Sequence, residues 1–289
     1  MRRIGVVTAG GDAPGMNAAL RSIVRSAIHN RLEVIGFERG YKGLIDGQVR
    51  RMGRRSVSGI INLGGTILRT RRCKEMKTPQ GIKKAVEVLE RYKVDGLITI
   101  GGDGTFRGAS KLHEASGIPI IGVPATIDND VAGTDTTIGF DTAVNTAVSA
   151  IDKIRDTATS HERIFVVEVM GRKRGFLALE VGLAEGAEVI LIPEIKFDLD
   201  EICKRLKEAR GEGKTSEIIV MAEGAGDSRS IVEYISKETG YEVRLTILGH
   251  IQRGGAPTAL SRSLACQFGH HAVELLLDGA EKEIVAIRG

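Results

Sequence analysis

The 289-residue chain has no tryptophan, and aromatic residues make up only 4% of it. So few flat side chains leave almost no stacking platform for single-stranded nucleic acid. There are three cysteines, Cys73, Cys203 and Cys266, odd in number and without CxxC spacing. That argues against a disulfide framework and a cysteine-built zinc site, and for a reduced, cytoplasmic compartment. No apolar run approaches the length of a membrane span. The opening Met1-Arg2-Arg3-Ile4 enters a strand pattern at once rather than a signal peptide. The first glycine-rich turn carries neither a Lys-Ser or Lys-Thr pair nor GxGxxG spacing, so a Walker-type ATPase and a plain dinucleotide fold both lose ground.

What the chain does have is glycine, 37 residues of it, with 42% hydrophobic and 27% charged residues, the composition of a globular protein. The apolar runs Ile4–Thr8, Glu33–Phe37, Gly96–Ile100, Ile118–Val123, Ile164–Val169, Glu188–Ile192, Ile218–Ala222, Val243–Leu248 and Ile284–Ile287 read as strands. The amphipathic stretches Met16–Asn30, Gly81–Tyr92, Phe106–Ala115, Phe140–Thr157, Leu199–Arg210, Ser228–Glu238 and Leu260–Leu277 read as helices. This alternation predicts an α/β protein with mainly parallel sheet sandwiched by helices. The helix from Phe140 is the candidate connector to a second lobe and Gly249–Gly255 the candidate return. The expected division is 1–138 plus 251–289 against 139–250.

Ligands of such sheets sit at the carboxyl ends of strands, and the glycine and acid motifs fall there. Gly101-Gly102-Asp103-Gly104-Thr105 follows a strand and opens a helix, which suits a phosphate cradle. Asp103 adds negative charge where phosphate belongs, which makes sense with Mg²⁺ between them. Thr126-Ile127-Asp128-Asn129-Asp130 follows the next apolar run. Read as extended backbone, it puts both carboxylates on one side, one for metal and one for a proton. Arg163, Arg172, Arg244 and Arg253 lie at or near strand ends, and His250 beside Arg253 suits hydrogen bonding to an anion better than metal binding. The formal net charge of +4 includes clusters at Arg50–Arg55 and Arg69–Lys74. A polyanionic small substrate explains them as well as nucleic acid does. Together these features point to metal-assisted phosphoryl transfer.

Seven strings in order, GGDAPGMN (10–17), GGDGT (101–105), PATIDND (124–130), GTDTTIGF (133–140), SHER (160–163), VEVMGR (167–172) and LGHIQRGG (248–255), give the chain its resemblance to bacterial 6-phosphofructokinases over almost its whole length. The resemblance implies a two-lobed fold, a nucleotide-binding lobe and a sugar-phosphate-binding lobe. It also implies transfer of the ATP γ-phosphoryl group to the 1-hydroxyl of fructose 6-phosphate. Carried over by motif, Gly10, Tyr41, Arg72, Cys73, Gly102, Asp103, Gly104, Thr105 and Gly108 would line the nucleotide site, with Mg²⁺ on Asp103 and Asp130. Asp128 would be the base, and Thr126, Arg72 and Arg172 would stabilise the transferring group. Met170, Gly171, Glu223 and His250 would hold the sugar. Arg253, Arg163 and Arg244 would grip its 6-phosphate, the last two reaching in from a neighbouring subunit of a homotetramer.

Gly104 and Ala125 stand where pyrophosphate-using relatives resemble one another in Asp and Lys, so the resemblance favours ATP, with pyrophosphate use or an inactive regulatory paralogue as alternatives. Lipid and NAD kinases share the GGDGT turn but lack VEVMGR and LGHIQRGG. Arg21, Arg25, Arg54, Arg155, Gly186, Glu188 and Lys214 match effector positions for ADP and phosphoenolpyruvate, while Gly59 lacks an acid and Glu212 replaces a lysine. Family members usually continue with a further helix beyond the last strand. No nucleic-acid or membrane partner is expected.

Overall fold

Strand–helix alternation yields two mainly parallel sheets, one in each of two units: Met1–Thr142 with Arg253–Gly289, and Ala143–Gln252. The structure is a computed structural model describing residues 1–289. In the first unit the elements are β1 (Arg3–Thr8), α1 (Met16–His29), β2 (Glu33–Phe37), α2 (Gly40–Asp46), β3 (Val49–Met52), α3 (Pro79–Arg91), β4 (Gly96–Gly101), α4 (Asp103–Ser116), β5 (Ile120–Thr126) and β6 (Ile138–Gly139). Helix α5 (Phe140–His161) begins there and continues into the second unit. That unit holds β7 (Ile164–Val169), α6 (Phe176–Ala184), β8 (Val189–Leu191), α7 (Leu199–Gly211), β9 (Glu217–Ala222), α8 (Ser228–Thr239) and β10 (Val243–Ile247). Helix α9 (Ala259–Leu277) and β11 (Lys282–Ile284) complete the first unit.

The first sheet runs β11-β5-β4-β1-β2-β3, with β6 paired to the end of β5. All pairs are parallel except β2–β3. Alternation along the strands sorts the side chains onto two faces. Val7, Phe37, Leu97 and Ile120 pack with Leu44, Val88, Leu89 and Leu112 of α2, α3 and α4 in one buried cluster. On the other face α1 lies against α9, and a Cβ on Gly269 would come within 2.8 Å of the Ala19 carbonyl, so the bare backbone lets the helices close. The register Thr8↔Ile100 and Gly101↔Pro124 brings the carboxyl ends of β1, β4 and β5 to neighbouring positions on one edge. The second sheet is wholly parallel, in the order β10-β7-β9-β8.

Some elements differ from their sequence signals. Helix α4 begins at Asp103, three residues before Phe106, because Gly102 serves as its N-cap in extended conformation. Helices α3 and α9 start two and one residues early, where the Thr78 and Thr258 hydroxyls accept N–H bonds from Gly81 and Ser261. Helix α5 runs on to His161. The last strand is Lys282–Ile284 rather than Ile284–Ile287, because only that stretch pairs with Ile120–Gly122. Helix α6 escaped notice because FLALEVGLA is apolar on nearly every side and has no periodic polar face. Strand β3 carries Arg50 and Arg51 on a sheet edge, where charge guards against pairing with another chain.

Asn17, buried on α1, holds the loop before the Arg69–Lys74 segment. Its amide donates to the carbonyls of Leu63 and Gly64 at 3.1 Å each, and its oxygen accepts from the Ile67 N–H at 2.8 Å. Asn17→Ala would strand three backbone groups, costing about 2–4 kcal/mol. The expected result is a fall in thermal midpoint with new proteolytic cleavage in residues 62–70. An unchanged midpoint and cleavage pattern would show that the loop is held by something else.

Candidate active site

One hydroxyl joins the two glycine turns of the first unit. Thr105, in the first turn of α4, donates from Oγ1 to the Ala9 carbonyl at 3.0 Å. Gly10, at φ +87°, sits so close that a Cβ there would be 3.1 Å from this hydroxyl. Ala9 N–H in turn donates to the Ile100 carbonyl, extending the β1–β4 pairing past the strand end. Tyr41 donates to the Thr105 carbonyl at 2.6 Å from a buried position that pushes its phenol well above the ordinary range, and its ring fills the space left by Gly108. A Cβ on Gly104 would meet nothing within 4 Å, so this turn faces open space. The first N–H groups of α4 lie at the same place, the usual setting for an anion.

The acidic segment stands beside this cradle. A Cβ on Gly102 would lie 3.5 Å from Cβ of Thr126, at the end of the neighbouring β5. The Asp128 N–H donates to Thr126 Oγ1 at 3.2 Å, and Asp128 is only 5% exposed. Asn129 has φ +49°, with its side chain bonded to the Thr137 hydroxyl and the Asp135 carbonyl. The backbone between the two acids is therefore not extended, and the expectation that spacing alone puts both carboxylates on one side fails. Asp128 is buried and Asp130 partly exposed. Asp103 is half-exposed and pairs with Arg107, one helical turn on, at 2.9 Å.

The Arg69–Lys74 segment crosses the same sheet edge. Leu68 is buried where a Cβ on Gly36 of β2 would stand. The Thr8 hydroxyl then donates to the Arg69 carbonyl and the Thr70 hydroxyl to the Gly10 carbonyl, and Cys73 packs on the opposite face of the sheet. Arg72 is exposed two residues after Thr70 and has no ion-pair partner. Arg253 lies over the first turn, paired with Asp12 at 2.9 Å.

In the second unit the predicted residues separate into two groups. Met170, Gly171 and Arg172 follow β7, Glu223 follows β9 and the exposed His250 follows β10, all at carboxyl ends. Gly171 has φ +136° and Arg172 φ +53°. The turn is fixed by the Arg172 N–H donating to Glu223 Oε1 at 2.6 Å and the Met170 N–H donating to the side-chain oxygen of buried Gln252 at 2.9 Å. Arg163 and Arg244 lie at the other end. Arg163 precedes β7, and the Val243↔Ile164 register places it beside Glu242, whose carboxylate binds Arg163 Nε at 2.7 Å and also Arg244. The six residues of β7 separate the groups by about 20 Å. One chain therefore does not gather all the predicted sugar-phosphate residues within this unit. The sequence reading passed over Asp12, Gln252 and Glu242. The first two lie inside quoted strings, and only the strand register reveals the third.

Among the candidate effector residues, those of the second unit are similarly tied. Arg21 and Arg25 lie on α1, and Arg54 lies on a short 3₁₀ turn. In the second unit Arg155 donates to the Glu185 carbonyl at 2.7 Å, next to left-handed Gly186. Lys214 binds Glu188 at 2.5 Å, while the other Glu188 oxygen accepts from the Ile218 N–H. Glu212 caps the end of α7.

A phosphate cradle at one strand end with carboxylates at the next is the equipment of a phosphoryl-transfer protein. The chain belongs to the phosphofructokinase family, whose model matches residues 3–276. It is 56% identical over 287 residues to an ATP-dependent 6-phosphofructokinase of Halalkalibacterium halodurans, covering 99% of this chain and 90% of that protein. It is also 56% identical over 288 residues to ATP-dependent 6-phosphofructokinase 1 of Clostridium perfringens, covering 100% and 90%. Among solved structures, phosphofructokinase from Saccharomyces cerevisiae superposes with a TM-score of 0.95 at 34% identity over 99% of this chain, which spans 43% of that subunit. A pyrophosphate-dependent phosphofructokinase from Marinobacter aquaeolei shares the fold, with a TM-score of 0.89 at 23% identity, covering 100% of this chain and 79% of that one.

Beside the effector candidates, Glu217 is fully buried and bonded through Oε2 to Arg210 Nε and Nη2 at 3.2 and 3.0 Å, while Oε1 has no partner. Burial pushes its carboxyl above the ordinary range against the pull of Arg210, and nearby Glu188 adds to the rise. A carboxyl that holds its proton more tightly when folded contributes stability that is present below its unfolded value and lost as pH rises through its folded value. Glu217→Gln should therefore gain on the parent protein in thermal midpoint as pH rises from about 4 to 7. A constant difference across that range would show that Glu217 does not titrate abnormally.

Proposed function

We propose that this chain is an ATP-dependent 6-phosphofructokinase, transferring the terminal phosphoryl group of ATP to the 1-hydroxyl of fructose 6-phosphate. The observation that carries the reading is the single cradle made by Gly10, Gly102 and Thr105 with Thr126 and buried Asp128 beside it. The names of the 56% identical relatives support the same donor and activity. The first unit is assigned to the nucleotide and the second to the sugar phosphate.

Asp128 accepts the proton of the 1-hydroxyl as its oxygen attacks the terminal phosphorus. The bond from that phosphorus to the bridging oxygen breaks, and ADP leaves with the electron pair. The Thr126 hydroxyl, Arg72 and Arg172 stabilise the charge on the transferring group. Gly10, Gly102 and Gly104 present bare backbone to the polyphosphate beside Thr105, while Tyr41, Gly108 and Cys73 support the surrounding wall. Met170, Gly171, Glu223 and His250 orient the sugar, and Arg253 engages its 6-phosphate.

Mg²⁺ fits this donor set. No three His, Cys, Asp or Glu side chains gather into a cage of their own. Mg²⁺ is ordinarily held by one or two carboxylates together with substrate phosphates and water, which Asp103 and Asp130 can supply. When bound, it would neutralise phosphate charge.

Arg163 and Arg244, at the far end of β7, are assigned to the 6-phosphate in a neighbouring copy. The separation along β7 supports an oligomer with shared sites. The effector residues Arg21, Arg25, Arg54, Arg155, Gly186, Glu188 and Lys214 are proposed for an anionic regulator such as ADP or phosphoenolpyruvate.

Asp128→Ser should lower kcat about 10²–10⁴-fold while leaving the KM for either substrate little changed. A variant within tenfold of the parent, about 1.4 kcal/mol of barrier, would place the base elsewhere. Because Gly104 faces open space, ATP should support turnover and pyrophosphate barely so, and Gly104→Asp should suppress ATP use by crowding and repulsion. Faster turnover of the parent protein with pyrophosphate would reverse the donor assignment.

A further inference from the structure

Arg253 is held by one residue through two different groups. Its Nη2 pairs with Asp12 Oδ1 at 2.9 Å, and both Nε and Nη2 donate to the Asp12 backbone carbonyl at 3.3 Å. The guanidinium passes over Gly11 so closely that a Cβ there would stand 2.2 Å from Nη2 and 3.1 Å from Cζ. Gly11 does not have a positive φ, so its backbone would accept alanine, and only the guanidinium forbids a side chain. Nη1 makes no hydrogen bond. The Arg253 side chain is 19% exposed and that of Asp12 42%.

We infer that Asp12 is a positioning residue for substrate binding, and that Gly11 clears the track along which Arg253 is held. The inference rests on the assignment of Arg253 to the sugar phosphate. An arginine has a long stem with many rotamers, and a ligand that must order it loses affinity in doing so. Residue 12 fixes the stem and one edge of the fork in advance while Nη1 stays available to an incoming anion. The carboxylate partly neutralises the guanidinium but cannot remove its proton, so charge for the phosphate persists. The backbone carbonyl contact would survive any substitution at residue 12, so the side chain's contribution can be isolated.

The test is steady-state kinetics on the full-length protein with Asp12→Asn, Arg253→Ala and the double variant, with Gly11→Ala as an independent probe of the same geometry. Asp12→Asn should raise the half-saturating fructose 6-phosphate concentration about two- to fivefold, the range expected of a half-exposed ion pair. Its kcat and its KM for ATP should stay within about twofold. Gly11→Ala, which pushes the guanidinium aside, should move the same constant in the same direction. In the Arg253→Ala background, Asp12→Asn should add nothing, because its effect acts through Arg253. A general structural role would move kcat, ATP and thermal midpoint together and would add to Arg253→Ala. That result overturns the inference, as does a lowered half-saturation in Asp12→Asn, which would mean that the carboxylate competes with substrate. If Arg253→Ala itself leaves fructose 6-phosphate binding unchanged, the assignment of Arg253 fails and the inference with it. A normal Arg253→Ala defect with an inert Asp12→Asn overturns the inference alone.

Discussion

The parallel register of β1, β4 and β5 is the constraint on which the proposed phosphate cradle depends. It delivers three loops to neighbouring points on one edge, and the Thr105 hydroxyl on the Ala9 carbonyl then joins the first two. Glycine is required here for particular reasons. At Gly101 a Cβ would lie 2.4 Å from the Ala9 carbonyl, so the two turns could not meet. At Gly10 the backbone is left-handed, a conformation that costs a residue bearing a Cβ about 1–2 kcal/mol. Gly104 is different. Nothing in the chain occupies its missing side chain's place, so the packing of the fold does not require glycine there.

Polar side chains on loops and strand ends complete what the sheet begins. Asn17, Thr8 and Thr70 bind the segment from Leu63 to Arg72 across the strand ends, so Arg72 is carried by a tethered loop rather than a free one. Gln252 and Glu223 do the same for the Met170–Arg172 turn in the second unit. In each case a side chain satisfies backbone groups that irregular structure leaves without ladder partners. Positive φ at Arg172 goes with its bond to Glu223 and positive φ at Asn129 with its bonds to Thr137 and Asp135.

Much of this was legible before any coordinates. Parallel α/β architecture followed from β-branched runs alternating with amphipathic stretches, and the placing of GGDGT and PATIDND at strand ends followed from the same pattern. Three kinds of feature were not legible. Short or uniformly apolar elements such as β6 and α6 have too few residues or no polar face to reveal a period. The conformation between Asp128 and Asp130 depends on Asn129 bonding to Thr137 and Asp135, contacts that a two-residue spacing does not encode. The positions of Arg163 and Arg244 depend on register, which pairs Val243 with Ile164 and sets both arginines on Glu242, about 20 Å from Met170. Chain order already sets Arg163 before the Ile164 strand and Arg172 after it, and the register adds that Arg244 stands with Arg163.

That division gives the account its most exposed claim, a site completed by another copy of the chain. The most direct measurement is a crystal structure with fructose 6-phosphate and a non-hydrolysable ATP analogue bound together. The account predicts the triphosphate between Gly10 and the Gly102–Thr105 turn, the 1-hydroxyl facing Asp128, and the 6-phosphate contacted by Arg253 of one chain and by Arg163 and Arg244 of a neighbour. A 6-phosphate held by arginines of a single chain, or a triphosphate bound away from the two glycine turns, would contradict it.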